Sequence, residues 1–289
     1  MDSTTQITEA PPPWDCKATV YVLYFVASKP ASGELPEIAY SPLERASPFA
    51  SPQFGRALGG LSTIQLVRYS RTPVGPYDEM LLVPGKFEYP VDDKGKKRRA
   101  ERALRLTRIY VSQKDTCWNG RKNWNIPKHL ARFEWTDLPD GSTHVEVFPH
   151  DTATPYDKFE RKPSDRPFFR ATFQPMRYTP YFPMSTKLYE WLGIRISMVQ
   201  PPLPEGESSQ GELAGTTRWC KVVPYQYSKR SCVGWADMRQ ADEGGEEGSN
   251  RGHENFWPGL GRWVPALKME DADVRFGDGE FWDTPQSLH

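Results

Sequence analysis

The chain is built of short runs rich in β-branched and aromatic residues, interrupted at close intervals by proline and glycine. Lys17 to Ala27 (KATVYVLYFVA) reads as a strand. Leu61 to Tyr69 reads as another, followed by a turn through Pro73 and Gly75, with Met80 to Val83 opening the next. Asp92 to Arg102 has the charge of a solvated hairpin tip. Leu104 to Gln113 is a further strand, Arg132 to Trp135 and Thr143 to Phe148 flank the turn Pro139-Asp140-Gly141, and Pro167 to Phe173 continues the pattern. Thr216 to Val223 and Ala272 to Phe276 are expected late strands. Helix is scarce. Ser185 to Leu192 is the best case, with Ser185 as N-cap. Asn123 to Ala131 suits a short helical turn, with Pro127 near its first position.

Many strands, frequent turns and 28 prolines point to a mainly β chain, an antiparallel barrel or a sandwich. Composition does not choose between the two. Residues 1–13 are polar, end in three prolines and read as a disordered tail. No linker divides the rest, so 14–289 is expected to be a single domain with long loops at 29–56, 200–215 and 240–252. The first of these holds Ser41-Pro42, Ser47-Pro48 and Ser51-Pro52. A loop of that length is often functional or a lid. There is no internal repeat.

Composition narrows the function classes. Basic and acidic residues balance at 37 each, so no overall field recruits nucleic acid or an anionic membrane. No apolar run approaches the ~20 residues of a membrane span. The polar N-terminus has no basic segment ahead of an apolar one, which argues against a secretory signal. The four cysteines (Cys16, Cys117, Cys220, Cys232) form no CxxC pair, which weighs against zinc and redox motifs. Reduced thiols and a cytoplasmic location follow as expectations. Ten Trp, 13 Tyr and 14 Phe supply enough aromatic area for a core around a cavity.

Two stretches carry candidate chemistry. Gly120-Arg121-Lys122-Asn123-Trp124-Asn125-Ile126-Pro127-Lys128-His129 places a lysine directly after a proline, with Trp124, Ile126 and Leu130 as apolar flanks. Upstream, Pro73-Val74-Gly75-Pro76-Tyr77-Asp78-Glu79 leads into an apolar strand. Together they resemble the acetoacetate decarboxylase family. In that family a Gly-Arg-Glu segment leads to a Pro-Lys dipeptide, and the lysine forms a Schiff base with a keto acid. The resemblance is carried by about residues 15–150. It implies a β-barrel that encloses a pocket, no cofactor, no metal, and a small carbonyl compound as partner. It leaves a homo-oligomer open. The long proline-rich insertions suit fungal members, many of which look like parts of specialised-metabolite pathways.

The chemistry has a physical reason. A β-keto acid loses carbon dioxide readily when electrons can flow into a sink, and a protonated imine supplies one. The lysine must be neutral to attack a ketone, and at pH 7 only about one ordinary lysine in 2,500 is neutral. Burial or a neighbouring cation raises that fraction. The resemblance maps Lys128 onto the Schiff-base lysine and Glu79 onto a pocket carboxyl that handles protons. Tyr77 belongs to the same Tyr-x-Glu step. Arg121, or Lys17 in the first strand, falls where an anchor for anionic oxygen is expected, although a structural ion pair is the stronger reading of Arg121. Three positions depart from the family. His129 stands where a second lysine is common and would serve as a second proton handler. Lys122 stands in place of the glutamate of Gly-Arg-Glu. Gln65 falls near a further pocket glutamate, which puts simple acetoacetate decarboxylation in doubt.

Other groupings are weaker. His144, Glu146, His150 and Asp151 include metal-ligand types, but a solvated strand face explains them as well. Lys94 to Arg99 is a basic run flanked by acids, better read as a hairpin tip than as a nucleic-acid patch. Phosphate-loop and Gly-x-Ser-x-Gly signatures are absent from the sequence. Three functions therefore stand in order. The first is a Schiff-base lyase on a keto acid or polyketide-like carbonyl compound. The second is a non-covalent cyclase or isomerase on the same barrel. The third is a barrel that carries an apolar ligand without chemistry.

Overall fold

The computed structural model describes residues 6–91, 99–150, 162–193, 195–208, 210–238, 257 and 260–284. The strands are β1 (Trp14–Ala27), β2 (Arg56–Arg71), β3 (Tyr77–Val83), β4 (Lys86–Val91), β5 (Arg99–Leu104), β6 (Arg108–Val111), β7 (Lys128–Asp137), β8 (Thr143–Pro149), β9 (Phe169–Pro175), β10 (Phe182–Ser185), β11 (Met198–Gln200), β12 (Trp219–Val222), β13 (Pro224–Asp237), β14 (Trp263–Phe276) and β15 (Glu280–Trp282). The helices among these residues are α1 (Pro42–Arg45), α2 (Lys114–Trp124) and α3 (Lys187–Trp191). None is long and apolar enough to cross a membrane.

Nine strands run β1-β14-β13-β9-β8-β7-β6-β3-β2 and close on themselves through a β1–β2 pairing. This is the barrel the sequence leads one to expect, with one difference in strand direction. Within the ring β6 and β7 are parallel. Parallel neighbours need a crossover rather than a hairpin, and α2 supplies it. A second branch leaves β2 through β4 and continues β5-β11-β12-β15.

Strand alternation sorts the side chains of β1, β2 and β3 into two clusters. Leu23, Ile64, Leu66, Met80 and Leu82 pack with Val145, Val147, Phe169 and Ala171 of β8 and β9. The opposite faces contribute Trp14, Val20, Val22, Val67, Tyr77 and Leu81 to a cluster completed by α2, β11, β12 and β14. The cavity described below lies on this second face. Trp14 meets Trp124 of α2 edge to face at 5.3 Å, a geometry that adds about 0.5–1.5 kcal/mol beyond burial.

Several local expectations are corrected. The helical turn expected over Asn123 to Ala131 is not there: α2 ends at Trp124, and Lys128 opens β7. Asn125 caps α2 in the left-handed region at φ 54°, which asparagine tolerates, and Pro127 cannot continue the helix. α2 itself has no apolar stripe in its sequence; it starts where the Gln113 side chain accepts from the Thr116 amide at 2.9 Å. The strand expected over Leu104 to Gln113 is divided between β5 and β6. β13 begins with Pro224, a position where a strand accommodates proline. The tail expected to be disordered through Pro13 is held along α2 for part of its length. There the Ala10 amide donates to Asn119 Oδ1 at 2.8 Å and Asn119 Nδ2 donates to Thr8 O at 2.7 Å. Residues 92–98, with most of the basic run, and the loop 240–252 lie outside the described residues, as does Asp151.

Candidate active site

Lys128 is the first residue of β7, and its direction is fixed by the turn before it. Its amide donates to Ile126 O at 2.7 Å across Pro127, a three-residue turn that the locked proline φ favours. Its carbonyl accepts from Arg121 Nη1 and from Cys117 Sγ, both at 3.1 Å. The side chain then crosses α2 at Gly120. A Cβ on that glycine would lie 2.6 Å from Lys128 Cδ and 2.7 Å from Cε, so the glycine is what lets the lysine lie flat on the helix.

The amine ends in a buried polar cluster. Lys128 Nζ lies 2.8 Å from Glu79 Oε2, with the two side chains 5% and 4% exposed. It donates to Thr116 Oγ1 at 2.9 Å and, more weakly, to Tyr77 Oη at 3.5 Å. Tyr69 Oη donates to Glu79 Oε1 at 3.3 Å, and the Tyr69 and Tyr77 rings lie 4.5 Å apart. Burial, reinforced by the Glu79 charge, pushes both phenols well above their ordinary value, so they remain donors. Nearby Cys16 is pushed up to about 12, chiefly by burial, which keeps it an inert thiol.

These groups form one end of a cavity of about 320 Å³. Its walls are mainly apolar, among them Trp14, Val22, Leu81, Ile109, Met198 and Leu267. Further along, Gln65 lines it and accepts from Gln226 Nε2 at 3.2 Å. Tyr24 and Tyr189 line it where α3 covers the strands, with their hydroxyls 2.7 Å apart. Gly59, Gly60 and Lys86 reach the cavity from the ends of β2 and β4.

Four residues singled out from sequence thus come together: Lys128, Glu79, Tyr77 and Gln65. Three do not, and each is corrected. Lys17 sits on the outer face of β1, between the inward Cys16 and Ala18, and pairs with Asp273 at 3.0 Å. His129 follows Lys128 on a strand and so points to the other face, where its Nε2 is 2.6 Å from Glu44 Oε2. Arg121 is fully buried and does not line the cavity. It binds Glu44 Oε1 at 2.9 Å, Ala214 O at 2.9 Å and Pro204 O at 2.7 Å, as well as the Lys128 carbonyl. Arg121 therefore clamps the lysine segment to α1 and to the loop 200–215. Burial works against the Glu44 charge, but His129 and Arg121 outweigh it and hold this carboxyl below its ordinary value. The long loop 29–56 acts here as a brace behind the lysine. His144 and Glu146, weighed as metal ligands, instead meet Thr172 at 2.8 Å and Arg170 at 2.5 Å respectively.

Thr116, Tyr69, Gln226 and Glu44 were not read as site residues. Thr116 sits in a helix without amphipathic pattern, and Glu44 in a Ser-Pro segment without pattern of any kind. Tyr69 carried a signal, since the alternation of β2 places it on the same face as Gln65.

No family model matches the sequence. A stretch of 84 residues is 30% identical to Protein NEOXANTHIN-DEFICIENT 1 of Oryza sativa subsp. japonica, covering 29% of this chain and about a quarter (24%) of that protein. Among solved structures, acetoacetate decarboxylase from Legionella pneumophila superposes with a TM-score of 0.54 at 12% identity, covering 94% of this chain and 88% of the other. Another acetoacetate decarboxylase structure gives 0.55 at 13% identity, with 97% and 93% covered. An acetoacetate decarboxylase-like enzyme from Sphingomonas wittichii RW1 gives 0.55 at 10% identity, with 98% and 97% covered. Over nearly its whole length, this chain has the fold of acetoacetate decarboxylase.

Proposed function

We propose that this chain is an enzyme that binds a carbonyl compound as an imine on Lys128 and carries out lyase chemistry or a related step from it. The observation that carries the reading is the buried 2.8 Å contact between Lys128 and Glu79 at the end of an apolar cavity. The Lys128 ammonium passes a proton to the Glu79 carboxylate, and the freed amine attacks the carbonyl carbon. The carbinolamine hydroxyl leaves as water, taking the proton back from Glu79. A protonated imine then faces a carboxylate, so the charge balance of the site is unchanged. The imine draws electrons from the adjacent carbon. That permits loss of carbon dioxide from a β-keto acid, or loss of a proton followed by dehydration, aldol or cyclisation steps. Thr116 and Tyr77 steady the nitrogen and the departing oxygen.

Gln65 favours a second reading, a cyclase or isomerase without a covalent step, because a neutral amide stands near a position where the family resemblance implies a carboxylate. A ketone with a heavy carbonyl oxygen separates the two. Each round of imine formation and hydrolysis exchanges that oxygen with solvent. Exchange above the uncatalysed background is expected with the wild-type protein and not with Lys128→Met. Exchange that persists in Lys128→Met would sink the covalent reading.

A further inference from the structure

The charges around the cavity say which carbonyl compounds fit. Among the described lining residues, the ionisable groups are Lys128, Glu79, four tyrosines and Lys86. Lys128 and Glu79 are spent on each other. Tyr69 and Tyr77 stay neutral behind the ion pair, as does Tyr24, whose hydroxyl is raised by burial. Lys86 is exposed and pairs in the sheet near Gly59. Gly59 is eight residues along β2 from Val67, the partner of Glu79, or roughly 26 Å of strand. A carboxylate two bonds from a carbonyl held at Lys128 cannot reach it. The residues expected to anchor such a carboxylate are elsewhere: Lys17 on the outer face and Arg121 behind the site.

The next polar groups along the cavity are neutral. Gln65 is two residues from Val67 on β2, roughly 7 Å along the strand. Its Oε1 accepts from Gln226 Nε2 at 3.2 Å and its Nε2 donates to Thr63 Oγ1 at 3.4 Å, which leaves each amide with a donor or acceptor position to spare. Paired amides donate and accept, and so suit a hydroxyl, a ketone or an ester oxygen. Thr63, Thr186, Tyr24 and Tyr189 add further neutral hydroxyls to the lining beside this pair.

Resting on the imine reading above, we infer that the substrate is an uncharged, elongated and largely apolar carbonyl compound with a second oxygen placed to meet the Gln65–Gln226 pair, and that β-keto acids are excluded. A β-keto acid would put a second anion beside Glu79 with one cation between them, and an uncompensated buried charge is strongly disfavoured. In such a substrate the imine drives loss of an α proton or cleavage of a neutral carbon–carbon bond, with Glu79 taking the proton, rather than loss of carbon dioxide.

The test is borohydride trapping with three probes: acetoacetate, its neutral methyl ester, and methyl nonyl ketone. Adducts, including any formed after loss of carbon dioxide, are counted by mass spectrometry at Lys128. Each rate is divided by that of the same probe with a simple alkylamine. The ester and the long ketone are expected to label Lys128, and acetoacetate about 100-fold more slowly or less. Gln65→Leu is expected to slow the ester relative to the long ketone. Acetoacetate labelling as fast as its ester would overturn the inference while leaving the imine intact. Failure of all three probes to label would reject the imine reading itself, and the inference with it.

Discussion

The Lys128 side chain lies across Gly120, with Cδ only 2.6 Å from where a Cβ on that residue would be. The glycine of the Gly-Arg segment is thus a steric condition for the position of the amine. Gly120→Ala favours α2 by about 1 kcal/mol of helix propensity, yet it must push the lysine off its place against Glu79 and Thr116. Ketone trapping at Lys128 is expected to fall roughly 100-fold, the scale of a displacement near 1 Å, and the melting temperature to fall with it, because parting the buried Lys128–Glu79 pair costs about 3–5 kcal/mol and outweighs the helix gain. Differential scanning calorimetry beside trapping kinetics checks this. A variant with unchanged trapping would show that the lysine position does not depend on Gly120.

Glu79 is the proton carrier in this account. Glu79→Gln keeps the shape and the hydrogen-bonding reach but removes the base. Heavy-oxygen exchange is expected to slow by roughly 100-fold or more, the usual range for a positioned acid–base group. Exchange at the wild-type rate would assign the proton transfers to another group.

Glu44 gives the molecule an acid limit. Its carboxyl is held below the ordinary value of 4.5 by His129 and Arg121, against the opposing effect of burial. A carboxyl depressed in the folded state binds its proton more readily when unfolded. Its contribution is present above pH 4.5 and is lost as the pH falls through the lowered folded value. Glu44→Gln breaks a buried pair and is expected to cost about 3–5 kcal/mol at neutral pH. It should also flatten the acid limb in urea denaturation followed from neutral to acid pH. A variant that keeps both the stability and the acid limb of the wild type would contradict this role.

The mainly β class was legible because the strands carry the β-branched and aromatic runs that a half-buried sheet requires, whereas the barrel, as against a sandwich, came from the resemblance alone. Lys128, Glu79, Tyr77 and Gln65 were legible through the resemblance that the Tyr-x-Glu and Pro-Lys steps carry, and strand alternation on β2 and β3 is what then brings them to one face. Lys17 and His129 were misplaced for one shared reason. The period of two along a strand turns Lys17 away from Cys16, and His129 away from Lys128. Reading Lys128 as part of a helical turn hid the second case. Arg121 is the structural ion-pair residue that the stronger of its two readings expected, but its partners Glu44, Pro204 and Ala214 could not be named, because they come from two segments whose composition shows only loops. Thr116 was hidden by a helix that is stabilised by its caps and its neighbours rather than by an amphipathic stripe.

The central claim is that Lys128 forms the imine. Peptide-level mass spectrometry after incubation with methyl nonyl ketone and borohydride tests it most directly, on the wild type and on Lys128→Met shown by circular dichroism to be folded at the working temperature. The account predicts a reduced adduct on the peptide containing Lys128 and none in the variant. An adduct spread over surface lysines, or one equally abundant in Lys128→Met, would contradict it.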